Sequence, residues 1–216
     1  VGKTPSDSKP RKLNKIGVVG AGTMGIGIAM TFADVGYPVS LTDISKEALD
    51  RGQVRVRSLY DSQVKRGRIS EQDRASRIQL IQCSVGYDAL ADADLIIEAA
   101  FEAIDIKRAI FQALDGIAKK NAVLATNTSY LDVNVIAAAT SRPQDVLGLH
   151  YFSPANVMKL VEVVRGQATA PDALSTALAA AKATGKIAVI AGVCHGFIGN
   201  RMLRAYVRES GLLMLE

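Results

Sequence analysis

The run Lys15-Ile16-Gly17-Val18-Val19-Gly20-Ala21-Gly22-Thr23-Met24-Gly25 decides the fold. Its first half is short, apolar and β-branched, the composition of a buried strand. Its second half is G-x-G-x-x-G, placed at the strand end and opening a segment that reads as a helix closing at Gly36. Each glycine answers a separate steric need. Gly20 permits the tight turn, Gly22 lets backbone approach a pyrophosphate, and Gly25 lets the helix pack close to the strand. The helix N-terminus adds free N–H groups near Thr23 and Met24 and the positive end of its dipole, both suited to phosphate. A second strand, Pro38–Thr42, leads into Asp43, 23 positions after Gly20. A carboxylate there accepts hydrogen bonds from both ribose hydroxyls and repels a 2′-phosphate, so NAD is favoured over NADP, with Lys46 a nearby cation that argues the other way. The alternative is a glycine-rich turn and a surface Asp on a fold that binds no nucleotide. Strand, turn, helix and acid all in register make the nucleotide site the stronger reading.

Outward from this unit, strand-like runs follow at Ile78–Gln82, Leu95–Glu98, Ala122–Thr126, Val146–His150, Met158–Val164 and Ile187–Ala191, with helical segments between most of them. Ser45 is placed to cap a long charged helix to about Lys65, and Ser70-Glu71-Gln72-Asp73 has the form of a capping box for a second. These two helices insert a hairpin after the second strand. Strands that are apolar on both faces and alternate with helices predict an α/β class: a Rossmann-type, doubly wound, mostly parallel sheet.

At 216 residues, 49% hydrophobic and 22% charged, the chain is one large domain or one domain with a piece of another, and general disorder is excluded. The net charge of +5 would suggest a polyanion-binding surface, but residues 1–15 hold five cations against Asp7 alone and so carry +4 of it. The rest is close to neutral, and no nucleic-acid binding is expected. Cys83 and Cys194 lie far apart with no C-x-x-C, so neither a metal site nor a disulfide framework is legible, and a reducing compartment fits. No signal peptide and no apolar stretch long enough to span a membrane occurs. Residues 1–14, rich in Pro, Ser, Gly and Lys, read as a linker or arm. Val1 and the unstopped helix ending L-L-M-L-E give both ends the look of a cut fragment.

In an open sheet, ligands lie beyond the carboxyl ends of the strands, so polar residues there carry the chemistry. Glu98 ends the fourth strand with Glu102 and Lys107 after it, and they read equally as a solvated helix start or as part of a site. Thr126-Asn127-Thr128-Ser129 is either a turn cap or a cluster of donors and acceptors over a nicotinamide. His150 ends V-L-G-L-H, and Glu162 shares a strand face with Leu160 and Val164, where an isolated carboxylate needs a partner. Asn156 is the midpoint between them. A reversal there makes His150 and Glu162 cross-strand neighbours, the arrangement of a general base held in one tautomer by a buried acid, or else a buried structural pair. His195 reads as a cap or surface residue. Asn200, on the last helix, is placed to meet a substrate oxygen or to face solvent. Lys65, Arg66 and Arg68 make a basic helix end, most simply a solvated face or else a phosphate contact.

G-A-G-T-M-G-I-G-I-A, I-I-E-A-A-F-E-A-I-D-I-K, T-N-T-S, G-L-H-Y-F-S-P, M-K-L-V-E-V-V and G-F-I-G-N-R-M-L, in this order, make Lys15–Glu216 resemble the NAD-binding domain of the 3-hydroxyacyl-CoA dehydrogenases of fatty-acid β-oxidation. The resemblance implies NAD-dependent oxidation of a (3S)-3-hydroxyacyl-CoA. It implies His150 as catalytic base with Glu162 as its orienting acid, Ser129 and Asn200 at the substrate oxygen, and Asp43, Glu102 and Lys107 at the cofactor beside the glycine turn. It divides the chain into a linker (1–14), a NAD-binding domain (15–192) and the first helix of a truncated all-α dimerisation and substrate domain (193–216), through which a homodimer would form. H-Y-F-S-P replaces the H-F-F-N-P of stand-alone members, so Ser153 stands where those supply an Asn contact. The same departure is similar to multifunctional enzymes in which a hydratase/isomerase domain precedes this one, cytoplasmic in bacteria and peroxisomal in eukaryotes. Three rival readings follow: a NAD-binding module without catalysis in this truncated form, a stand-alone 3-hydroxybutyryl-CoA dehydrogenase, and a different β-hydroxyacid dehydrogenase. The last type uses a Lys on the final helix, where this chain has Asn200 and Arg201.

Overall fold

The computed structural model describes residues 8–215; residues 1–7 of the expected linker and Glu216 lie outside the described residues. Eight strands form one sheet: β1 Ile16–Val19, β2 Val39–Asp43, β3 Ile81–Val85, β4 Leu95–Glu98, β5 Val123–Thr126, β6 Val146–Tyr151, β7 Leu160–Arg165 and β8 Ile187–Gly192. Their order is β3-β2-β1-β4-β5-β6-β7-β8, and every neighbouring pair is parallel except β6 with β7. The helices are α1 Thr23–Ala33, α2 Lys46–Lys65, α3 Glu71–Leu80, α4 Ile104–Ile117, α5 Val133–Ala137, α6 Pro171–Ala183 and α7 Gly199–Leu213. The expected doubly wound, mostly parallel sheet with a helical hairpin after β2 is what forms. None of the helices among the described residues is long and apolar enough to cross a membrane.

Alternation along the strands fills both faces. Ile16, Val18, Leu95, Ile97, Val123 and Ala125 pack with α1 and α6 on one side, while Val19, Ile96 and Leu124 pack with α4 and α5 on the other. The chain winds outward from β1 through β2 to β3 and then crosses back to β4. The carboxyl ends of β1 and β4 therefore part at the point where the strand order reverses, and a crevice opens there.

Ser45 caps α2 by accepting from the Ala48 N–H, and Ser70 with Asp73 closes a reciprocal capping box on α3, both as expected. The third strand is a correction. The expected Ile78–Gln82 is helix through Leu80, and β3 begins at Ile81. Ile78 is spent on the helical hairpin, packing on the cluster of Ile26, Met30, Val56 and Tyr60, so the helical period wins over the strand-like run. β7 likewise starts at Leu160, because the Val157 and Met158 N–H groups both turn back to the Pro154 carbonyl.

Residues 8–14 lie along the domain. The Arg11 guanidinium bridges Asp145 at 2.7 Å and Asp172 at 2.8 Å, and the Asn14 N–H donates to Asp94. Leu13 packs on the main core. Three charge-assisted contacts thus order a stretch whose composition offers little apolar surface.

Candidate active site

The glycine turn is built around close approaches. Gly20 has φ +102°, and a Cβ there would lie 2.7 Å from the Ala99 carbonyl oxygen on the crossing strand end. A Cβ on Gly25 would lie 1.8 Å from the Gly20 oxygen, so only glycine lets α1 start this close to β1. A Cβ on Gly22 would meet nothing within 4 Å, and no side chain caps α1. Open space therefore faces the free first-turn N–H groups near Thr23 and Met24, the fit required for a pyrophosphate. Asp43 takes the Ala21 N–H at 2.8 Å and the Ser45 N–H at 3.0 Å, which fixes its carboxylate at the rim. Lys46 turns away to pair with Asp50. A groove of ≈ 1120 Å³ runs from the turn past Asp43 and is closed by Tyr87, Phe101, Arg51 and Arg55. The sequence reading missed these four; only the fold brings α2 and the ends of β3 and β4 to the turn.

The buried charges at the β4 end were also only half legible. Glu98 and Lys107 are 0% and 1% exposed and pair at 2.7 Å. The Lys107 ammonium also lies 3.4 Å from Glu102 Oε2 and 3.5 Å from the Ala100 carbonyl. Glu102 Oε1 accepts from the Thr128 hydroxyl and from the N–H groups of Ser129 and Tyr130. Burial alone would push the Glu102 carboxyl up, yet these hydrogen bonds and the Lys107 charge hold it below the ordinary glutamate range.

His150 and Glu162 face each other directly across the antiparallel β6–β7 ladder. Nδ1 and Oε2 are 2.6 Å apart, with both residues buried. The second oxygen, Oε1, accepts from the N–H groups of Ile198 and Gly199 at 2.9 and 2.8 Å. The turn delivering them holds Gly196 and Phe197 at φ +73° and +46°. Because a carboxylate only accepts, Nδ1 carries the proton and Nε2 keeps its lone pair. That lone pair looks onto the Ser129 hydroxyl at 3.3 Å, and Phe152 and Phe197 flank the ring at 4.6 and 5.7 Å between centroids. Such a histidine can take a proton from an oxygen beside Ser129 and pass the resulting charge to a held carboxylate.

Asn200 opens α7 one residue after Gly199 and lines a second cavity of ≈ 410 Å³ with Tyr130, His195, Arg201, Arg204 and Arg208. Its side chain makes no hydrogen bond among the described residues. His195 is exposed, stacks on Tyr130 and lies 3.1 Å from Arg204. From Arg201 onward α7 is exposed, with Met202, Leu203, Tyr206 and Val207 among its uncovered apolar residues.

Residues 15–194 match the family model described as "3-hydroxyacyl-CoA dehydrogenase, NAD binding domain". Among curated proteins, the chain is 40% identical over 211 residues to a peroxisomal bifunctional enzyme of Danio rerio, covering 98% of this chain and 29% of that protein. It is 37% identical over 208 residues to the fatty acid oxidation complex subunit alpha of Psychrobacter cryohalolentis, covering 96% and 29%. The chain thus spans under a third of the length of these relatives. Among solved structures, 3-hydroxybutyryl-CoA dehydrogenase from Escherichia coli superposes with TM-score 0.90 at 39% identity, covering 92% of this chain and 42% of that one. (S)-3-hydroxybutyryl-CoA dehydrogenase PaaH1 from Ralstonia eutropha gives the same score and identity, covering 92% and 70%. The glycine turn, the open crevice and these matches agree: the chain belongs to the family of 3-hydroxyacyl-CoA dehydrogenase NAD-binding domains.

Proposed function

We propose that this chain is the cofactor-binding and proton-accepting part of an enzyme that oxidises (3S)-3-hydroxyacyl-CoA to 3-ketoacyl-CoA. The observation that carries the reading is His150, with Nδ1 committed to buried Glu162 and Nε2 3.3 Å from the Ser129 hydroxyl. NAD, when bound along the glycine turn, supplies the hydride acceptor for C3. His150 Nε2 takes the hydroxyl proton of the substrate. Glu162 stabilises the imidazolium that results, and the Ile198 and Gly199 N–H groups keep Glu162 from swinging away. The Ser129 hydroxyl and the Asn200 amide orient the substrate oxygen, while Phe152 and Phe197 exclude water from the ring. Gly20, Gly22, Thr23, Met24 and Gly25 hold the phosphates, Asp43 the ribose, and Glu102 with Lys107 the nicotinamide end.

Following NADH oxidation with acetoacetyl-CoA tests this. His150→Gln should abolish turnover and leave NADH affinity nearly unchanged; loss of both together would remove His150 from the base role.

The exposed apolar row on α7 supports a second reading, a cofactor module whose turnover requires the rest of a longer protein. Turnover by the 216-residue chain alone would exclude it. In the favoured reading, 15–192 is the cofactor domain and 193–216 begins a helical domain that closes the cleft and forms a homodimer. A hydratase/isomerase domain precedes residue 1, and the setting is a bacterial cytoplasm or a eukaryotic peroxisome.

A further inference from the structure

Glu98 ends β4 on the far side of the β5 end from His150, and nothing in the proton transfer requires it. Its burial is complete, and both of its oxygens are committed. Oε2 accepts from the Thr126 hydroxyl at 2.7 Å; Oε1 accepts from the Lys107 ammonium and from the Ala100 N–H, each at 2.7 Å. From these two oxygens, two routes lead into one loop. The direct route runs through Thr126, whose hydroxyl in turn accepts from the Thr128 N–H at 3.3 Å. The indirect route runs through Lys107 to Glu102, whose Oε1 receives the Thr128 hydroxyl at 2.6 Å and the Ser129 N–H at 2.8 Å. The Glu98 carbonyl adds a third tie, accepting from the Asn127 N–H at 2.7 Å, and the Asn127 side chain receives the Tyr151 N–H next to His150.

We propose that Glu98 is a positioning residue: through Thr126 and through the Lys107–Glu102 pair it fixes the loop that holds the Ser129 hydroxyl on His150 Nε2. A buried ion pair of this kind is weak as a source of stability, because desolvation offsets the attraction. Its geometric output is specific, since a loop tied by four donors, the Thr126 and Thr128 hydroxyls and the Ser129 and Tyr130 N–H groups, to two connected carboxylates has one low-energy placement. The inference rests on the proposed chemistry only for the consequence of misplacing Ser129; the placement itself is separately measurable.

Two variants test it. Glu98→Gln keeps the shape and removes the charge that holds Lys107. Glu98→Leu/Lys107→Met/Thr126→Val replaces the whole buried cluster by apolar groups, so that no charge is left unpaired in the interior. In the 216-residue chain, hydrogen exchange of the Ser129 and Tyr130 amides should accelerate at least about tenfold in both variants, with protection in β1 and β5 unchanged. In the multidomain enzyme, Ser129→Ala should lower kcat in the native background and change it by less than about twofold in either variant, the non-additivity expected of groups acting in series. KM should move little. Unchanged protection of the two amides in a folded variant overturns the proposal, as does a full Ser129→Ala effect in the variant background. If both variants lose protection throughout the sheet, Glu98 is a structural residue and the positioning role is likewise overturned. If the variants show the amide effect while the parent chain itself fails to bind NADH, this inference stands and the proposed function falls instead.

Discussion

Glu162 sits directly opposite His150 on the β6–β7 ladder and divides its oxygens, one to the imidazole at 2.6 Å and one to the Ile198 and Gly199 N–H groups. Turn and imidazole are thereby locked to the same carboxylate. Glu162→Gln can keep an acceptor for only one of these two jobs and supplies no negative charge to an imidazolium. The expected result is a fall in kcat of about a hundredfold or more with NADH affinity retained. Steady-state kinetics beside NADH fluorescence titration checks it, and near-normal kcat would leave the pair with a structural role only.

The glycine turn separates two demands that a motif merges. A Cβ on Gly25 meets the Gly20 oxygen at 1.8 Å, whereas a Cβ on Gly22 meets nothing within 4 Å. Gly25→Ala should therefore lower the melting temperature, because backbone must move to make room. Gly22→Ala should leave the melting temperature within about 2 °C and still weaken NADH binding by about tenfold or more, since its methyl group occupies space reserved for phosphate. Calorimetry and fluorescence titration on the two proteins would show the crossed pattern; equal NADH affinity in Gly22→Ala would place the phosphates elsewhere.

Glu102 gives the loop at Ser129 a pH dependence with a definite sign. Burial raises its carboxyl, but the Thr128 hydroxyl, the Ser129 and Tyr130 N–H groups and Lys107 together bring it below the ordinary range. A depressed folded-state value contributes stability that is present in full above the unfolded value, about 4.3 for a glutamate, and is lost as pH falls through the folded value. Protection of the Ser129 and Tyr130 amides, corrected for intrinsic rates, should hold level down to about pH 4.3 and decline below it. In Glu102→Gln the decline should vanish. A fall in protection that begins near neutral pH would assign the loop to some other group.

His150 and Glu162 were legible as partners because the hairpin between them is local: a midpoint at Asn156 and a period of two fix the register without knowledge of the rest. Glu98 and Lys107 were not, since nine residues carry the chain from a strand end into a helix and no single period relates them. Ile78 misled for a related reason, being apolar in a run that suits both a strand and a helix face, and only the cluster it joins, drawn from α1 and α2, decides between the two. Arg51 and Arg55 reach the cofactor groove because Gly52 lets α2 rest on the turn, where a Cβ would stand 3.3 Å from the Ala21 oxygen, a contact invisible along the chain. The order at Arg11 depends on Asp145 and Asp172, more than a hundred residues away. What the sequence carries is what neighbours in sequence settle.

Tyr151 offers a test of stability at a buried hydroxyl. It follows His150 on β6, so its side chain points to the opposite face and is buried among Leu149, Ala155, Val161 and Val163. Its hydroxyl has no hydrogen-bond partner among the described residues, and burial pushes its ionisation up. A buried hydroxyl without a partner forfeits its hydration and gains nothing in return. Tyr151→Phe removes that oxygen while keeping the ring in place, so the variant should be more stable than the parent by about 1 kcal/mol. The Tyr151 N–H that holds Asn127 is untouched, and the His150–Glu162 register should survive. Denaturant unfolding of the two proteins measures the difference. A loss of stability in Tyr151→Phe would mean that an ordered water satisfies the hydroxyl, and in that case the replacement would have emptied a filled polar site rather than relieved an orphaned one.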